Sequence, residues 1–301
     1  MQGLTSVISQ LQEYFAVEFH AFEIHAVTGG DIHQSQILRL RSEENTANIP
    51  DAVFLKSNSF NNAEVLRSEY VSLHRMQELY PTIYPKPFFY QESNNQAVLV
   101  MEYIEISSLY GSNAASAGYG LAQQHQVTQE NYGWDCSNFI GLTHQSNHLS
   151  HDWVDFFRNQ RLFPMLMNAK ENGISNELYS KVEHLLERLE DYCNPQTQAV
   201  LLHGDLWSGN LGYNSKRNQA VFYDPAPYFG DREVDLAMTE LFGRLPAEFY
   251  QAYEEIFPLQ DGYKARKYIY NLYHALNHVV LFGSGYNALV SNRLTGLYKN
   301  I

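Results

Sequence analysis

Apolar residues recur at helical spacing in residues 4–15, where Leu4, Val7, Ile8, Leu11 and Phe15 form one stripe and predict an amphipathic helix. Three runs of strand type follow at 22–27, 36–40 and 52–56, and a second helical stripe (Leu66, Tyr70, Leu73) runs through 62–79. Pro81, Pro85 and Pro87 break the chain there, and 88–91 with 97–101 predict a hairpin about Asn94-Asn95. Beyond Ile104 helical spacing takes over. It marks 113–126, the stripe of Trp153, Phe156, Phe157, Gln160 and Phe163, then 176–192 and 264–282. Only short apolar runs, Leu201-Leu202 and 220–223, read as strands in this half, and 130–150 reads as loop. The order predicts an α+β protein, with a small antiparallel-sheet lobe over 1–103 and a larger, mostly helical lobe over 104–301.

Composition narrows the classes. The chain has 301 residues, 45% hydrophobic and 18% charged, with 22 Tyr and 17 Phe, so it buries a large core and is not a disordered chain. A formal charge of −13 without a basic run argues against nucleic acid and anionic membranes as partners. The two cysteines, Cys136 and Cys193, lie in no metal spacing and suit a reducing, cytoplasmic setting. No basic n-region opens the chain, and no stretch approaches the ~20 apolar residues of a membrane span.

The candidate chemistry centres on Leu201-Leu202-His203-Gly204-Asp205-Leu206-Trp207-Ser208-Gly209-Asn210, followed after a strand by Asp224-Pro225. His-x-Asp, an Asn five residues after the Asp, a strand and a second Asp is the order in which eukaryotic-type kinases lay out phosphoryl transfer. Asp205 is the candidate to orient the acceptor hydroxyl and take its proton late. Asn210 and Asp224 supply the hard oxygen donors that Mg²⁺ prefers. In the first lobe Lys56 closes a strand, as a lysine contacting the α- and β-phosphates of ATP would. Glu69 is the acid of the 62–79 helix that lies at the edge of the apolar stripe, so it is the expected partner of Lys56, whereas Glu64 and Glu78 point away. Gly29-Gly30 suits a turn that lets backbone N–H groups approach phosphate, though two glycines alone are a common hairpin turn. Met101, Glu102, Tyr103 and Ile104 mark the hinge where backbone would bond adenine.

Other polar groups invite metal readings that their surroundings weaken. His144, His148 and His151 lack a completing Cys or acid, so the loop that holds them, with Asn147, is expected to shape an acceptor pocket. Asn271, His274 and His278 share a helix face, yet Ala275 stands where the Glu of a His-Glu-x-x-His zinc motif belongs, so a polar face towards pocket or water is expected. Asp231 is a candidate helix cap. Asp235 is expected to be buried and bonded to the catalytic-loop backbone.

These residues resemble the fructosamine kinase, or ketosamine-3-kinase, family, whose bilobal protein-kinase-like fold is shared with aminoglycoside phosphotransferases. The likeness runs nearly end to end, through Phe54-Leu55-Lys56, Ser68-Glu69-Tyr70, Pro85-Lys86-Pro87, Asp152-Trp153 with Arg161, the whole His203–Asn210 string, Tyr223-Asp224-Pro225-Ala226, Leu276-Asn277-His278 and Phe282-Gly283-Ser284-Gly285-Tyr286. The resemblance implies ATP-dependent phosphorylation of the 3-hydroxyl of a ketosamine, free or protein-bound, and hence deglycation; chains of this length resemble ribulosamine or erythrulosamine kinases more than fructosamine kinases. It implies Trp207 as a stacking surface for the sugar, with Asn147, His278 and Tyr286 as further acceptor contacts. Many relatives carry Cys after the glycine pair where this chain has Asp31, so a redox-sensitive loop is not expected. The same residues also suit another alcohol acceptor, such as an aminoglycoside or choline; a nucleotide-binding scaffold is the third reading.

Overall fold

The computed structural model describes residues 2–18, 21–27, 32–41, 49–80, 83–93, 95–194 and 197–300, and the chain divides into two units, Met1–Glu105 and Ile106–Ile301. In the first unit α1 (Gln2–Phe15) precedes β1 (Ala21–Val27), β2 (Gln34–Arg41) and β3 (Ala52–Ser59), then come α2 (Ala63–Leu79), β4 (Pro87–Ser93) and β5 (Gln96–Glu102). The strands form one antiparallel sheet in the order β1-β2-β3-β5-β4. Alternation along each strand sorts the side chains. Val53, Leu55, Val98 and Val100 pack with Val7 and Leu11 of α1 in one core. Lys56 belongs to the other set of β3 and meets α2, whose Leu66, Leu73 and Met76 are buried.

The second unit contains α3 (Gly111–Gln124), β6 (Asn138–Ile140), β7 (Thr143–Gln145), α4 (Trp153–Phe156), α5 (Phe163–Glu171) and α6 (Asn176–Glu187), followed by β8 (Val200–Leu202), β9 (Leu211–Asn214), β10 (Gln219–Phe222) and β11 (Tyr228–Gly230). It ends with α7 (Glu233–Met238), α8 (Ala247–Ile256), α9 (Tyr263–Phe282) and α10 (Asn287–Lys299). Small residues let α3 lie close on α8: a Cβ on Gly118 would strike the Phe249 carbonyl oxygen. Asp231 caps α7 one residue earlier than a standard N-cap, its Oδ1 accepting from the Glu233 N–H at 2.9 Å.

Three local features depart from the sequence reading. The 130–150 stretch holds the β6–β7 pair, tied by buried amides rather than by an apolar period: Gln145 donates to Asn138 Oδ1 at 2.8 Å, and Asn138 donates to the Pro227 carbonyl at 2.8 Å. The helix read through 153–163 is interrupted by a π-helical stretch, Phe157–Leu162. Within it Arg161 is fully buried, its guanidinium 3.9 Å from the Tyr228 ring centre and its Nη2 donating to Asn147 Oδ1 at 2.6 Å. The polar face of α9 is largely interior, since Asn271, His274 and Asn277 are buried where α5, α7 and α10 pack around the helix.

Candidate active site

Two strand pairs hold two loops. The segment 203–210 leaves β8 and enters β9, while 223–227 leaves β10 and enters β11; β8 pairs with β11, and β9 with β10. Both loops are therefore fixed at both ends against each other. Backbone bonds complete the stitching, from Ala226 N–H to the His203 carbonyl at 2.9 Å and from Tyr223 N–H to the Asn210 carbonyl at 3.0 Å. His203 adds a side-chain link, its Nε2 bonding the Tyr223 carbonyl at 3.0 Å while Nδ1 accepts from the Asp205 N–H at 3.2 Å. Those two bonds require the neutral tautomer with its proton on Nε2, and complete burial also pushes the His203 pKa down. Gly204 takes φ +83° at a point where a Cβ would strike the Ala226 carbonyl oxygen, so no other residue fits the turn.

Three predicted residues come together on this frame. Asn210 donates its amide N–H groups to the Asp205 carbonyl at 2.8 Å and to Asp205 Oδ2 at 3.2 Å. Both of those bonds use the amide nitrogen, so the amide oxygen could serve a cation, and Asp224, held at φ +56°, presents a carboxylate on the neighbouring loop. An amide oxygen and a carboxylate with no sulfur or imidazole form a donor set that fits Mg²⁺. Desolvation, with the Asp224 charge as second cause, pushes the Asp205 carboxyl up to about 7, against the opposing Asn210 bond. The Asp205 side chain keeps 24% of its exposure, so it is shielded yet reachable. Behind the loop, Asp235 accepts from the His203 N–H at 2.7 Å and the Gly204 N–H at 2.9 Å, the buried backbone contact expected of it.

In the first unit Lys56 Nζ lies 2.6 Å from Glu69 Oε1, with side chains only 7% and 11% exposed. Met101 is buried at the end of β5, and the Glu102 N–H donates to the Lys86 carbonyl at 2.8 Å. The backbone groups of Tyr103 and Ile104 make no hydrogen bond among the described residues. Gly29, Gly30 and Asp31 lie outside the described residues.

The acceptor candidates separate. Trp207 packs its indole over Gly209, where a Cβ would collide with the ring, and remains 37% exposed. His278 and Tyr286 lie in ring contact at 5.2 Å. Asn147 does not join them. It is buried, donates to the Cys136 carbonyl at 2.9 Å and to Asn138 Oδ1 at 3.1 Å, and accepts from Arg161, so its amide is spent on the framework. His144, His148 and His151 are exposed. The sequence reading put His274 on a polar helix face towards pocket or water without giving it a site role, and its Nδ1 stands 4.0 Å from Asp205 Oδ1. Burial pushes its pKa down to about 3, so the imidazole is neutral and the contact is not an ion pair. The signal was the shared face with His278, which periodicity alone did not aim at Asp205. Phe242 and Phe282 were given no site role either; both touch the His278 ring.

The fructosamine kinase family model matches residues 4–300. A Vibrio parahaemolyticus protein assigned as a ketoamine kinase is 36% identical over 93% of this chain and 94% of its own. A chloroplastic protein-ribulosamine 3-kinase of Arabidopsis thaliana is 36% identical over 78% of this chain and 72% of its own. A Haemophilus somnus crystal structure assigned as a fructosamine-3-kinase superposes with TM-score 0.82 at 26% identity, covering 98% of this chain and 96% of that one. The likeness therefore extends from the stitched loops to both ends of the sequence, and the chain belongs to the fructosamine kinase family.

Proposed function

We propose that the chain transfers the terminal phosphoryl group of ATP to the 3-hydroxyl of a ketosamine, of the class that includes ribulosamines, erythrulosamines and fructosamines. The observation that carries this reading is the mutual anchoring of the Asp205–Asn210 loop and the Asp224 loop, which brings one amide and two carboxylates into one locality. Asp205 orients the 3-hydroxyl and accepts its proton as the bond to phosphorus forms. The transition state is loose, so positioning matters more than early proton removal. Asn210 and Asp224 would hold Mg²⁺, which when bound offsets the negative charge of the phosphates and of the two carboxylates. Lys56, held by Glu69, contacts the α- and β-phosphates, and the uncommitted backbone of Tyr103 and Ile104 supports the adenine contact. Trp207 stacks on the sugar, with His278 and Tyr286 beside it. The 3-phosphate product decomposes and frees the amine, which is deglycation.

The test is a panel assay with ATP and Mg²⁺, following ADP release and the phosphorus NMR spectrum of the product. Ribulosamine, an aminoglycoside and choline are offered separately. The expected result is ADP formation with a sugar 3-phosphate from ribulosamine alone. Turnover of the aminoglycoside or choline without the ribulosamine would assign a different acceptor. No turnover with any of them, alongside tight ATP binding, would favour a scaffold.

A further inference from the structure

A continuous track of rings borders the catalytic loop in the second unit. Trp207 meets Phe242 at 5.9 Å between ring centres, Phe242 meets His278 at 4.9 Å, and His278 meets Phe282 at 5.6 Å and Tyr286 at 5.2 Å. Four of these residues keep large exposure: Trp207 37%, Phe242 41%, Phe282 49% and Tyr286 37%. Single exposed rings are ordinary, but a contiguous group drawn from separate segments marks a binding surface. One segment is the catalytic loop, one follows α7, and one is the end of α9 with the turn beyond it. Elsewhere in the unit, rings carry protein cations on their faces, as with Arg161 over Tyr228 and Arg244 over Tyr250. Among the described residues no Lys or Arg lies over any ring of the track. Burial also keeps the His278 pKa below its ordinary value, so the track carries no cation of its own at neutral pH.

Resting on the ketosamine reading above, we propose that this ring track, running outward from the Trp207 face on which the sugar stacks, is the subsite for the amine half of the acceptor, and that it selects ketosamines whose nitrogen carries an apolar or aromatic substituent over those carrying an anionic one. The nitrogen stands on C1, two carbons from the C3 hydroxyl, so a hydroxyl held at Asp205 fixes the nitrogen within about 5 Å of it by ordinary bond lengths. Trp207 is two residues from Asp205 and forms the inner end of the track. A secondary ammonium gains from an aromatic face. The substituent beyond it continues over Phe242, Phe282 and Tyr286, burying apolar area on both partners. A carboxylate on that substituent meets π faces with no cation, on a chain of net charge −13.

The test compares ribulosamines of methylamine, phenethylamine and γ-aminobutyrate by kcat/KM in the full chain and in the Phe242→Ala and Phe282→Ala variants. The wild type is expected to prefer phenethylamine over γ-aminobutyrate by about tenfold, expressed in KM, as offset ring stacking and a lost anionic penalty would give. Each variant is expected to cut the phenethylamine-to-methylamine ratio about fivefold. That ratio is internal to each preparation, so partial misfolding does not change it. Phosphorylation of all three ribulosamines with equal efficiency, or ratios unchanged in both variants, overturns the subsite and leaves the ketosamine reading standing. Failure to phosphorylate any ribulosamine overturns both.

Discussion

A buried aspartate fixes the loop that carries Asp205. Asp235 is 1% exposed and spends both carboxylate oxygens on the His203 and Gly204 N–H groups and on His125 Nε2 at 3.2 Å. Burial alone would raise its pKa, but the His125 bond and charge and the Gly204 N–H outweigh it and hold the group below the ordinary carboxylate range. A lowered folded-state pKa contributes stability that is present above the unfolded value, near 3.9, and is lost as pH falls through the folded value. Asp235→Asn leaves one oxygen where two N–H donors converge, so it should cost about 3 kcal/mol at pH 7. Denaturant melts should show that gap unchanged at pH 5 and narrowing below about pH 4; a gap under ~1 kcal/mol at pH 7 would mean the loop is held by something else. That Asp205, Asn210 and Asp224 share one neighbourhood was readable because their spacing within one loop and the next strand restricts them to it. Asn147 was misread because its amide answers to Arg161, fourteen residues on, and residue type does not reveal a buried cation. The place of His274 beside Asp205 was illegible for the converse reason: which helices cover a polar face is decided by chain far away in sequence.

Among the elements, β3 and α2 form a pair whose function depends on their register. Period two on β3 turns Lys56 to α2, and period 3.6 on α2 turns Glu69, rather than Glu64 or Glu78, to meet it. Those two periods explain why this contact could be written down from sequence. Removing Glu69 takes away the carboxylate 2.6 Å from Lys56 Nζ that helps to set the ammonium in the position phosphate requires. Glu69→Ala should lower kcat/KM for ATP about 100-fold, with the loss shared by Lys56→Met and not doubled in the double variant, because misplacing one positioned group has effects of that size. Additive losses in steady-state kinetics would separate the two side chains. The elements that escaped the pattern share a cause. β6 and β7 are held by buried amide bonds and carry no hydrophobic period, and the apolar stripe through Trp153–Phe163 reveals a helix but not the π-helical stretch at Phe157–Leu162 that houses a buried arginine.

At the scale of the molecule, the pattern of an early sheet followed by helices predicted an α+β protein, the family resemblance implied its kinase-like form, and the end-to-end match to the fructosamine kinase family carries that same architecture. No helix among the described residues is long and apolar enough to cross a membrane. The family makes phosphoryl transfer the protein's business, and the function proposed above gives the acceptor end of that transfer to Asp205. Asp205→Asn tests this most directly, because it keeps the size of the side chain and removes its charge. Nucleotide affinity measured by calorimetry should stay within about threefold, while ketosamine phosphorylation should fall by about 10³-fold, in the range that loss of a positioned general base produces. Wild-type turnover in that variant would contradict the account.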